Sequence, residues 1–132
     1  MSQKNRRAIP RFSTPIVETH CHLDYLDNET LESTLEAAFE VGIERIVTIS
    51  VSADNLDQVR DIAGSHAAVW CTQGIHPHEA ESWSDGLYQR VKTGASDENV
   101  VAIGEIGLDY YYDHADRGAQ LTAFDEQLAL AH

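Results

Sequence analysis

The sequence predicts an α/β fold of four successive strand-helix units on a parallel sheet, and three observations carry it. Short β-branched apolar runs alternate with longer segments of helical apolar spacing, the pattern of βαβ units. The runs "PIVETH" (15–20), "ERIVTIS" (44–50), "AVWCTQGI" (68–75) and "VVAIGEIGL" (100–108) are rich in Val and Ile, as strands covered on both faces are. A chain of 132 residues, 42% hydrophobic and 23% charged, suits one ordinary globular domain with one core. Such a series makes either a small open sheet or half of an eight-stranded barrel of ~250 residues.

Taken in order, residues 1–14 form a basic tail, with Lys4, Arg6, Arg7 and Arg11 and no acid. It reads as a solvated terminus rather than a nucleic-acid contact. After the first strand, Leu31, Leu35, Ala38 and Phe39 recur at intervals of three and four before Gly42, a helix with its C-terminal stop. The second strand is followed by Leu56, Val59, Ile62 and Ala63, with Asp54 the expected cap. Leu87 and Val91 predict a third helix before Gly94, and Leu121, Phe124, Leu128 and Ala131 predict a fourth that runs to the final residue. The domain reading is therefore a tail over 1–14 and a body over 15–132.

Charge and composition narrow the function classes. The net charge is −13, and the tail's +4 leaves −17 on the body. Such a body does not attract nucleic acid through its overall field, so a phosphodiester substrate would need help from cations. No apolar run reaches the ~20 residues of a membrane span, and the N-terminal segment lacks a signal peptide's apolar region, so a cytoplasmic location without membrane contact is expected. Cys21 and Cys71 are too few for a disulfide framework and are expected to be free, reduced thiols.

The residues able to carry chemistry lie at strand ends. In "THCH", His20 and His22 are two apart and share one strand face, so their imidazoles converge, either on an ion or as ordinary core histidines. Cys21 between them points to the opposite face, toward the covering helices. His76 and His78 flank Pro77, which stops the third strand, and functional residues of parallel α/β folds gather at such junctions. Glu105 sits among Val, Ile and Gly on the fourth strand, where a carboxylate is costly unless it is paired, hydrogen-bonded or bound to metal. Asp109 is a weaker candidate that can equally cap the following loop, and Tyr110, Tyr111 and Tyr112 read as wall residues able to stack on a base. Three strand ends of four presenting His or carboxylate favour a divalent-metal hydrolytic site. Two ions ~3.5 to 4 Å apart would suit phosphodiester cleavage by an activated water and would offset the acidic body's repulsion of DNA.

The motifs "ETHCHLD", "GIHPHE" and "IGEIGLDYYYD", in this order and spacing, resemble the TatD family of metal-dependent deoxyribonucleases, amidohydrolase-like TIM (β/α)8 barrels. The resemblance covers residues 15–132 and implies the first four βα units of such a barrel. It implies that His20 and His22 are first-strand metal ligands, that Glu105 is a ligand with a catalytic part, and that His76 lies by the active site. It further implies that Arg117, with Gln120 at the start of the last helix, contacts phosphate; His78 is the other candidate substrate contact. The implied cofactors are divalent ions, two per complete site, of Mg, Mn or Zn; the substrate is DNA, cut from the 3′ end.

The family's remaining ligands, two histidines and an aspartate, belong to later strands, and His132 still lies in the last predicted helix. The expectation is a truncated N-terminal half, weakly active or inactive alone, that self-associates or pairs with a second-half fragment. The alternatives are a non-catalytic half-barrel remnant serving assembly, and another metal hydrolase of the superfamily acting on an ester or amide.

Overall fold

The computed structural model describes residues 7–132; Lys4 and Arg6 of the basic tail lie outside the described residues. Four parallel strands, β1 (Ile16–Cys21), β2 (Ile43–Thr48), β3 (Val69–Gln73) and β4 (Val100–Ile103), pair in sequence order. Helices α1 (Asn28–Glu40), α2 (Leu56–Ser65), α3 (Asp85–Gly94) and α4 (Arg117–Ala131) follow them, with short 3-10 turns at Leu23–Tyr25 and Pro77–Ser82. The architecture is α/β, a partial barrel of the expected class. Among the described residues no helix is long and apolar enough to cross a membrane.

The register Ile46 to Val69 and Thr48 to Cys71 puts these four residues on one face. There Ile46, Val69 and Cys71 pack with Leu31 and Leu35 of α1 and Val59 and Ala63 of α2. Each large apolar side chain buried there contributes roughly 1.5–3 kcal/mol. A second cluster joins Leu56, Ile75, Leu87 and Val91. Trp70, between Val69 and Cys71, faces the other way, and the Arg45 guanidinium lies 5.7 Å over its ring. Val17 on β1 and Val101 on β4 are exposed. Both cysteines are free, and burial pushes the Cys71 thiol up to about 12, the behaviour of a packing residue.

Local chemistry fixes the helix ends. Asp27 caps α1 by accepting from the Thr30 amide at 2.8 Å, Ser84 caps α3 through the Leu87 amide, and Asp116 caps α4 through the Ala119 amide. Gly42, at φ +103°, supplies the left-handed residue that closes α1. Asp54 is not the cap of α2. The preceding residue is Asn55, whose Oδ1 accepts from the Val51 and Ser52 amides and so binds the loop after β2 rather than the helix.

The predicted fourth helix is present as α4, but its apolar residues are not its buried face. Leu121 and Leu128 are 51% and 50% exposed, whereas Gln120 and Gln127 are 1% exposed and, with Ala123, form the buried face. The glutamines are buried because backbone groups with no strand partner await them. Gln127 Oε1 accepts from the Ile75 amide at 2.7 Å, and its Nε2 donates to the Ile75 carbonyl at 3.2 Å. A buried polar group so satisfied costs little, and an apolar side chain there would strand both backbone groups.

His66 ends α2 and ties it to α1. Its Nδ1 lies 2.8 Å from the Ile62 carbonyl and its Nε2 2.7 Å from Glu32 Oε1. The carbonyl first, then the carboxylate, holds its pKa above the ordinary 6.5. The stabilisation is therefore fully present below pH 6.5 and is lost as pH rises through the raised folded value. His66→Gln is expected to lower the melting temperature more at about pH 5.5 than at about pH 8.5, by less than about 1 kcal/mol for so exposed a partner. Thermal scans at the two pH values check it.

Candidate metal centre

Four strand exits build the site at one end of the sheet. β1 ends at Cys21, so His20 is the last residue pointing away from the helices and His22 opens the 3-10 turn beyond. Their rings meet edge to face at 5.4 Å. Past β3, the His76 amide donates to the Val51 carbonyl at 2.8 Å, and Pro77 starts the second 3-10 turn. β2 contributes no ligand, yet its exit supplies the carbonyls of Ser50 and Val51 on which the later exits rest.

Glu105 is not on the fourth strand as expected. β4 stops at Ile103, and the chain turns so that the Glu105 amide donates to the Ser50 carbonyl at 2.8 Å, across the end of β3. A Cβ on Gly74 would lie 2.6 Å from the Gly104 carbonyl carbon, so only glycine lets the backbone pass there. Hydroxyls complete the crossing: Thr72 Oγ1 donates to the Gly104 carbonyl at 2.7 Å, and Ser50 Oγ donates to the Gly74 carbonyl at 2.5 Å. Ser50 is fully buried and Thr72 nearly so, which lowers the competition of water for these bonds.

The side chains of His20, His22, His76, His78 and Glu105 converge on one cavity of about 410 Å³. One potential ligand atom from each of His20, His22 and Glu105 lies within 4.8 Å of the others. Glu105 Oε2 is 3.4 Å from His20 Nε2, and Oε1 is 3.6 Å from His76 Nε2. His22 Nδ1 is buried without a hydrogen-bond partner among the described residues, in a donor set of two imidazoles and a carboxylate. An orphaned imidazole nitrogen beside such a set fits a divalent ion.

His76 Nδ1 accepts from the His78 amide at 3.0 Å, which assigns the proton of the neutral ring to Nε2. Burial pushes the His76 pKa below its ordinary value, outweighing the opposing charge of Glu105. His78 Nε2 lies 2.6 Å from Asp109 Oδ2. Bonds from the Tyr112 amide and then His78 hold the Asp109 carboxyl below the usual carboxylate range. Arg117 stands apart from the cavity: its Nε donates to Asp113 at 3.2 Å, and its guanidinium lies 4.5 Å over the Tyr110 ring. Tyr112 stands edge-on to His78 at 5.9 Å, while Tyr111 is exposed.

Sequence reasoning passed over Tyr25, Val51 and Glu79, which also line the cavity. Tyr25 stacks on His22 at 5.0 Å, one 3-10 turn further along. The signal for it was the Asp-Tyr pair just after "HCHL", a tight turn bringing an aromatic ring back over a histidine.

Comparison with known proteins agrees with this architecture. The chain matches the family model described as "TatD related DNase" over residues 17–132. It is 37% identical over 100 residues to the 3'-5' ssDNA/RNA exonuclease TatD of Enterobacter lignolyticus, covering 76% of this chain and 38% of that protein. It is 31% identical over 118 residues to the uncharacterized metal-dependent hydrolase YjjV of Escherichia coli, covering 87% of this chain and 46% of that one. The crystal structure of the E. coli YjjV TatD homologue superposes with a TM-score of 0.79 over the same shares. The chain thus spans less than half the length of these relatives. With a match running from within β1 to the last residue, and a relative of known structure that shares the four-stranded half, the chain belongs to the TatD-related DNase family.

Proposed function

We propose that this chain carries the first-half share of a metal-dependent site that hydrolyses phosphodiester bonds in DNA from the 3′ end. The observation that carries the reading is the convergence of His20, His22 and Glu105, with the partnerless His22 Nδ1 among them. In this reading those three residues hold divalent ions, two per complete site, of Mg, Mn or Zn. Such ions supply Lewis acidity toward a phosphoryl oxygen and toward water. Glu105 and His76 are the catalytic pair, Glu105 facing both His20 and His76, and His76 offering its Nε2 proton into the cavity. His78 and Arg117 contact the substrate backbone, Arg117 from outside the cavity along the strand's path. The 3'-5' ssDNA/RNA exonuclease of Enterobacter, to which the chain is similar, supports the substrate class. The reaction belongs to the cytoplasm, away from membranes.

In this reading the four-stranded sheet, open at the edge of β4, self-associates or pairs with a complementary second-half segment. Exposed Val101 on β4 and exposed Leu121 and Leu128 on α4 support this, since an open strand edge beside apolar side chains invites pairing. The chain alone is then weakly active or inactive. A second reading, a half-barrel serving assembly without catalysis, draws on the same surface. A hydrolase acting on an ester or amide is the other chemistry, in line with the broader description of YjjV.

One experiment separates them. Sedimentation of the chain is run beside hydrolysis of a 3′-labelled single-stranded DNA, an ester and an amide, with Mg²⁺, Mn²⁺ or Zn²⁺. Association together with metal-dependent nucleotide release is expected. A stable monomer with full nuclease activity refutes the assembly part, and turnover confined to the ester or amide refutes the nuclease. Association without any turnover favours the module.

A further inference from the structure

We propose that Asp109 is a positioning residue that, through His78, holds Glu105 opposite His76; the proposal rests on the reading of Glu105 as a metal ligand. Between Ile103 and Arg117 the chain has no helix or strand, so Glu105 sits at the root of a thirteen-residue connection, 104–116. Near its middle, Asp109 collects hydrogen bonds from three directions. Its Oδ1 accepts from the Tyr111 and Tyr112 amides at 3.1 and 3.0 Å, and its Oδ2 is bonded to His78 Nε2 at 2.6 Å. Its backbone is gripped on both sides by the buried Gln120 amide, which accepts from the Asp109 N–H at 2.7 Å and donates to the Asp109 carbonyl at 3.1 Å. Gln120 also donates to the Ala115 carbonyl at 3.0 Å, so α4 holds the connection at two points.

A residue that only caps a loop uses one carboxylate oxygen, as Oδ1 does here. The second oxygen reaches a different strand exit. His78 relays that bond inward, because its own amide donates to His76 Nδ1 at 3.0 Å and thereby aims His76 Nε2 at Glu105, 3.6 Å away. Gln120, Asp109, His78, His76 and Glu105 form one unbroken sequence of contacts from α4 to the cavity. Asp109 is not itself within the group of converging ligand atoms, so it acts through its neighbours. Residues that orient metal ligands in this way commonly change metal affinity ~10- to 100-fold when removed.

The test compares Asp109→Ala with Asp109→Asn by two measurements: side-chain and amide resonances of His76 and Glu105 in the metal-free chain, and Mn²⁺ affinity by calorimetry. Alanine is expected to move both sets of resonances and to weaken Mn²⁺ binding ~10- to 100-fold. Asparagine keeps an oxygen for Tyr111 and Tyr112 and offers an amide N–H to His78, so it is expected to restore most of the affinity. A lowered melting temperature with unmoved His76 and Glu105 resonances and unchanged Mn²⁺ affinity in the alanine variant overturns the proposal, leaving a loop cap only. Absence of Mn²⁺ binding by the unsubstituted chain overturns the metal reading instead, and the resonances then decide the positioning role alone. If Asp109→Ala does not fold, His78→Phe cuts the same link from the other side and carries the same expectations.

Discussion

Glu105→Ala is expected to weaken Mn²⁺ binding to this chain on the order of a hundredfold, about 2.8 kcal/mol. Among the described residues Glu105 is the only carboxylate in the converging ligand group, and neither histidine can supply its negative charge. It also faces His20 Nε2 at 3.4 Å and His76 Nε2 at 3.6 Å, so its loss removes the negative charge beside two imidazoles. The fold should survive, because the Glu105 link to Ser50 is made by the backbone amide, which alanine retains. Calorimetric titration checks the affinity, and Glu32→Gln, at an exposed acid that does not line the cavity, serves as the control. Affinity within about threefold of the unsubstituted chain, a difference of about 0.6 kcal/mol, would remove Glu105 from the ligand set.

Gly74→Ala is expected to give the largest loss of stability, about 3 kcal/mol, or roughly 10 °C in melting temperature. The added methyl would meet the Gly104 carbonyl carbon at 2.6 Å, its oxygen at 2.7 Å and its Cα at 2.9 Å. All three are backbone atoms, so no rotamer change relieves the overlap. The exits of β3 and β4 must part, breaking the Glu105 to Ser50 bond and the Thr72 to Gly104 bond. The substitution therefore couples folding to the site: Mn²⁺ affinity falls with stability even though Gly74 touches no ligand. A thermal melt together with a Mn²⁺ titration checks both, and a variant as stable as the parent would show that the crossing is looser than described.

The strands and helices were legible because their causes are local. β-branched runs and three-and-four spacing place all four strands and all four helices, and the pleat alone sends Cys21 to the helices and His20 away from them. What was illegible depends on partners remote in sequence. "VVAIGEIGL" reads as one strand, yet β4 ends at Ile103 because Ser50, more than fifty residues earlier, captures the Glu105 amide. The spacing of its leucines marks α4 as a helix, yet glutamines occupy its buried face because the ends of Ile75 and Asp109 need hydrogen-bond partners that no apolar side chain offers. Asp54 and Asn55 are equivalent as caps in a sequence, and only the amides of Val51 and Ser52 decide between them. The site follows the same division. Histidines and a carboxylate at strand exits can be found by alternation and by cost of burial. The separation of Arg117 from the cavity cannot, since it turns on Asp113 and the Tyr110 ring.

The grip of Gln127 on Ile75 has a consequence for how the molecule breathes. Among the described residues the Ile75 amide is held by a side chain of α4 and by no neighbouring strand. Its hydrogen exchange therefore reports the undocking of α4, whereas the Cys71 amide, bonded to the Asn99 carbonyl, reports the opening of β3 from the segment leading into β4. These two amides, four residues apart, separate fraying of the last helix from opening of the sheet.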